Sequence, residues 1–283
     1  MAVSYKARER WSLFDLLGPG EGCVALACYL DDSYSKGGTV CALAGYYAES
    51  DNWRAYEAAA SNVYASHGVS VLHTKDFRDR KKEFRGWSSV QQGDFLAELF
   101  EAVNSCDLFG LSFCATKSVG ASFKGAHKKA SQSSIFSMLF SMILDELCRK
   151  GNPFDLRGSR EVSFFVESGN HNNQGIQKLF NDMKRKRQAE GAKSLSFVGK
   201  QDCLAIHLAD FWAFYSMRHA RKALQSGFDA SKGPFFDEIC GAAFSQAPHY
   251  TRIFSGLAYR SDDDPNAISV GAPQTYYYGP QRA

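Results

Sequence analysis

Three acidic residues sit where apolar segments would bring them together. Asp31 ends the apolar stretch of CVALACYLDDS, Glu167 ends that of EVSFFVESGN, and Asp210 lies within DCLAIHLADFWAFY. A carboxylate at the end of a buried strand is costly to desolvate unless a cation or a donor meets it. Taken alone, each acid reads as an ordinary strand-end or helix-surface group. Taken together, they form the all-oxygen donor set of a hard cation such as Mg2+ or Mn2+, held by carboxylates for in-line phosphoryl chemistry.

The elements that must position these groups follow from hydrophobic patterning. Apolar runs rich in Val, Phe, Tyr and Cys predict strands over 23–31, 39–47, 107–117 and 161–167, with a shorter one at 195–199. SYSKGG makes the first two a hairpin. Helical spacing predicts helices around Trp53–Tyr64, Phe95–Val103, 133–149, 173–190 and 203–225. SVLHTKDF is expected to be extended, the Gly/Lys/Ser stretch after 117 to be a loop, and 235–245 to form short helical pieces before an irregular tail. No linker divides the chain, so one domain is expected: an N-terminal extension over 1–22, the main unit over 23–226, and a C-terminal extension over 227–283 packed on it.

Three antiparallel strands, a helical insertion between the second and third, and then two strand–helix crossovers describe a ribonuclease H-like α/β fold. Its mixed five-stranded sheet is flanked by helices. Right-handed crossovers place the later strands parallel to the first, so the ends carrying Asp31 and Glu167 become neighbours. Side chains alternate along a strand. Asp31 therefore shares a face with Tyr29, as the inner ligand, and Asp32 shares one with Leu30, as an outer acid. In the last helix, Leu204, Leu208, Phe211, Trp212 and Tyr215 form the apolar stripe. His207 and Asp210 flank it one turn apart. His207 is either a group that ligates metal, steers water or contacts phosphate, or a hydrogen-bonded histidine at the helix–sheet seam.

The formal charge of +3 over 283 residues does not by itself call for nucleic acid. Basic residues cluster nonetheless in 75–87, in KGAHKK (124–129) and in KRKR (184–187), as solvated faces or phosphate contacts. The eight cysteines form no CxxC pair, and the start of the chain has no apolar leader-like run. The expectation is a soluble cytoplasmic protein with reduced thiols.

YLDDS (29–33), FFVESGN (164–170) and HLADFWAF (207–214) resemble, in that order, the signature blocks of a mainly prokaryotic family known as domain of unknown function 3800. The likeness spans roughly 23–220. It implies a ribonuclease H-like fold and a nuclease site, with Asp31, Glu167 and Asp210 as metal ligands. Asp32 and Ser33 then match the acid and serine of the first block, and HTKDF places His73 and Asp76 in its histidine segment. Tyr34 departs from the pattern, standing where the family has glycine.

The leading expectation is therefore a Mg2+- or Mn2+-dependent nuclease acting on DNA or RNA. Asp31, Glu167, Asp210 and His207 would be its catalytic residues, and Asp32, Ser33, His73 and Asp76 would surround them. Lys75, Arg78, Arg80, Lys184, Arg185, Lys186 and Arg187 would contact phosphates, while Tyr34 and Trp87 could stack on bases. A non-catalytic scaffold for nucleic acid or a protein partner is the alternative. Nucleotide phosphoryl transfer ranks third, because no GxxxxGK[ST] loop is present. Clustered carboxylates repel, so neutralising either Asp31 or Asp210 is expected to leave the metal-free protein as stable or more so.

Overall fold

The computed structural model describes residues 26–126, 134–148, 161–170, 172–227, 249–254, 257–259, 268–270 and 274–278. The hairpin is present as β1 (Leu26–Tyr34) and β2 (Val40–Glu49). The insertion that follows comprises α1 (Ser50–Ser66), α2 (Thr74–Arg78) and α3 (Ser89–Ser105). Next come β3 (Phe109–Thr116), α4 (Lys117–Ala126), α5 (Ile135–Cys148), β4 (Val162–Glu167), α6 (Asn173–Arg185), β5 (Ala192–Val198) and α7 (Leu204–Gln225). The C-terminal segment adds β6 (His249–Phe254), β7 (Leu257–Tyr259), β8 (Ile268–Val270) and β9 (Gln274–Tyr278).

This is a mixed α/β fold whose main sheet runs β5-β4-β1-β2-β3-β6-β9. β2 is antiparallel to both β1 and β3, while β4 runs parallel to both β1 and β5. Seven strands replace the five expected. β6 pairs parallel with β3, and β9 closes that edge antiparallel to β6. These strands come from a short, Tyr-rich stretch whose apolar pattern is too brief to mark it. Two further local expectations change. Residues 74–78 form a short helix instead of extended chain, and 117–126 are helical instead of a loop. The expected N-terminal extension and the pieces at 235–245 lie outside the described residues.

Alternation along the strands sorts the core into two layers. Tyr29, Ala44, Tyr46 and Phe165 pack with α1, α3 and α7, whereas Cys28, Leu30, Leu43, Phe164 and Val166 pack with α5 and α6. The central ladder is tight. A Cβ on Gly45 would fall 1.7 Å from the Tyr29 carbonyl oxygen, so only glycine fits opposite Leu30. The Trp53 indole fastens α1 to β1 by donating to the Ala27 carbonyl at 2.9 Å. Cys28, Cys41, Cys114 and Cys203 are buried free thiols. Among the described residues, no helix is long and apolar enough to cross a membrane.

Candidate active site

β1 and β4 stay paired only as far as Leu30↔Val166. Beyond that point β1 continues against β2 to Tyr34, so Asp31 lies inside the strand and not at its end. From β1 the chain turns to β2 on one side, and from β4 it passes through α6 to β5 on the other. Chains that leave neighbouring strands in opposite directions open a crevice at the sheet edge, the usual place for a ligand in open α/β sheets. Asp31 and Glu167 meet at this crevice. By alternation each lies on the face of Tyr29 and Phe165, and α7 packs on that face.

The three acids converge, and the group at their centre is a lysine. Lys200 Nζ lies 3.1 Å from Glu167 Oε1, 3.1 Å from Asp210 Oδ1 and 3.5 Å from Asp31 Oδ2. All three contacting oxygens are thus within 3.5 Å of one nitrogen. Asp31 is only 2 % exposed, and the side chains of Lys200, Asp210 and Glu167 are 12, 15 and 20 % exposed. Lys200 opens a 3-10 turn, Lys200–Asp202, between β5 and α7. Asp210 is held from behind, its Oδ2 accepting 2.7 Å hydrogen bonds from both the backbone N–H and the hydroxyl of Thr74.

The charges respond unequally to one another. Burial, a hydrogen bond with Glu167 and the charge of Asp210 push the Asp31 carboxyl well above its usual range, against the pull of Lys200. Burial would push Asp210 up as well, but Lys200, the two Thr74 bonds and His73 together hold it below the ordinary carboxylate value. Burial opposes the charge on Lys200, yet Asp210, Asp31 and Glu167 outweigh it and raise the ammonium's pKa above the usual lysine range.

His207 does not join the acids. It is buried, with Nδ1 3.1 Å from the Tyr64 hydroxyl and Nε2 2.6 Å from the Lys200 carbonyl oxygen. Both ring nitrogens are therefore engaged, and the residue anchors the backbone of the Lys200 turn. Asp32 Oδ1 accepts from the Asn170 amide, so this outer acid ties β1 to the loop after β4. Ser33, half-buried, lies opposite Ala42 in the ladder. Asp76 faces the basic turn, 2.7 Å from Lys82 Nζ and 3.6 Å from His73 Nδ1. Tyr34 stands in solvent, 61 % exposed.

The two basic clusters separate. Thr74 brings the start of α2 to Asp210, and the next residue, Lys75, is exposed. Arg78 is paired with Asp79 at 2.6 Å and lies over the Phe214 ring, and Arg80 bonds Gln92 and Ser89. Lys184, Arg185, Lys186 and Arg187 are at the wrong end of the sheet to meet a phosphate at the acids. The Lys184 ammonium donates to the carbonyl of Ala192, which pairs with Val162 at the start of β4. Glu167 lies five residues further on, about 16 Å away along a strand. The cause is the crossover itself, since α6 leaves the crevice and runs back across the sheet.

Sequence reasoning passed over Lys200 and Thr74. The only local signal for Lys200 is a basic residue directly after an apolar strand, on the edge that carries the acids. The donor set fits a hard cation in kind, being oxygen throughout. Its spacing fits the ammonium now at its centre, because Mg2+ demands oxygens at about 2.0–2.1 Å. Among the described residues, no group of three or more His, Cys, Asp or Glu stands in a metal-holding arrangement. No family model, curated protein or solved structure matches the chain.

Proposed function

We propose that the chain is a divalent-metal-dependent nuclease of the ribonuclease H-like type, with Asp31, Glu167 and Asp210 holding Mg2+ or Mn2+. One observation carries this reading: carboxylates from two neighbouring strands and a facing helix converge on a single cation at a sheet-edge crevice. The strand succession β3-β2-β1-β4-β5, with β2 antiparallel to its neighbours and β4 parallel to its own, supports the fold assignment. Bound there, the ion would activate water and offset the charge developing on a scissile phosphate. Thr74 fixes the orientation of Asp210, His207 anchors the turn bearing Lys200, and Lys75 offers an exposed ammonium to the substrate backbone.

A second reading has an observation of its own. Lys200 already supplies the carboxylates with a cation, which suits a scaffold that binds nucleic acid or a protein without cutting. Incubating the purified chain with single-stranded and structured DNA and RNA, in Mg2+ and in Mn2+, separates the two. Cleavage that falls by about two orders of magnitude or more in Asp31→Asn is the expected result. No cleavage across the panel favours the scaffold reading instead, and cleavage that survives in Asp31→Asn removes the three acids as its source.

A further inference from the structure

The Lys200 side chain and its backbone are held very differently. The carbonyl is pinned by His207 at 2.6 Å. That bond fixes the backbone of the turn beside the crevice. The ammonium sits on a flexible four-carbon stem and can swing about that fixed point. Its partners are buried enough for charge interactions to be strong, unlike those of a surface pair.

We infer that the Lys200 ammonium and a divalent ion compete for the same three carboxylates, so that metal binding drives the ammonium out to the crevice edge. The inference rests on the metal-dependent reading above. An ammonium in contact with all three acids leaves no room for a second cation, and like charges a few ångströms apart in a poorly hydrated site repel strongly. Once Nζ leaves, the carboxylates can contract to metal–oxygen distances. Lys200 is thus an internal counter-cation of the metal-free protein, which suppresses carboxylate repulsion until the metal arrives.

Two measurements on the full chain test this. The first is MnCl2 binding by calorimetry to the parent, Lys200→Met and Lys200→Arg. Lys200→Met is expected to bind at least about tenfold tighter, having no charge to displace, and Lys200→Arg to stay near the parent. The second follows acylation of Lys200 in the parent by mass spectrometry, which Mn2+ should accelerate; it decides the matter if Lys200→Met does not fold. Unchanged or weaker Mn2+ affinity in Lys200→Met, or labelling that Mn2+ leaves unaltered or slows, overturns the inference. Cleavage is scored separately. Competition without cleavage upholds the inference and removes the nuclease reading, cleavage without competition does the reverse, and no Mn2+ binding to any of the proteins overturns both.

Discussion

Lys200 and Asp210 form a 3.1 Å ion pair in which both partners are held from behind, the lysine backbone by His207 and the second carboxylate oxygen by Thr74. Asp31 belongs to the same cluster but is pushed the opposite way, because it is the most buried acid and shares a hydrogen bond with Glu167. Neutralising the two aspartates is therefore expected to have opposite consequences, whereas clustering alone suggested the same one.

Asp210→Asn is expected to destabilise the metal-free protein at pH 7 by about 2 kcal/mol, since charge-assisted bonds to Lys200 and Thr74 are lost. Its folded pKa lies below the unfolded value. The stability it confers is complete above about pH 4 and disappears as pH falls through the folded pKa, so the gap to the parent closes in acid. Asp31 has a raised folded pKa. The folded state then retains a proton that the unfolded chain releases, and stability falls as pH rises above the unfolded value near 4. Asp31→Asn removes that loss and should raise the melting temperature at pH 7 by about 2–4 °C, with the gain fading towards pH 4. Thermal melts from about pH 2 to 8 check both, and shifts of the same sign at pH 7 refute the assignment.

His207→Ala should cost about 2–4 kcal/mol in urea unfolding, because it removes the bonds to the Tyr64 hydroxyl and the Lys200 carbonyl and leaves a cavity. Tyr64→Phe should cost about 1 kcal/mol, and the double variant should lose less than the sum of the two. A histidine whose role were confined to catalysis would leave the unfolding midpoint in place, so an unshifted midpoint counts against the anchoring role.

Binding to single-stranded nucleic acid, followed by anisotropy over a salt series, should distinguish the two basic clusters. Lys75→Ala is expected to reduce the slope of log affinity against log salt by about one. Neutralising Lys184, Arg185, Lys186 and Arg187 together should leave both affinity and slope unchanged, since the crossover carries them to the far end of the sheet. A loss of affinity in that quadruple variant would place the binding surface elsewhere.

Much of the framework is legible in residue order. The two-residue period of β1 and β4 puts Asp31 with Tyr29 and Glu167 with Phe165, the helical period of α7 sets Asp210 beside its apolar stripe, and the handedness of crossovers makes β1 and β4 neighbours. These are local rules, repeated every few residues, so a short window contains them. The identity of the cation at the centre is not of that kind. Lys200 meets Asp31, and Thr74 meets Asp210, because a ladder register and two connecting turns bring far-separated segments within 4 Å. The same holds for β6 and β9, whose short pattern becomes strand only against β3, and for KRKR, whose place at the end of the sheet away from the acids is set by the return of α6. Sequence assigned each side chain to a face, because facing depends on local periodicity. Tertiary structure alone decided which side chains share a site, because that depends on how the chain closes over long separations.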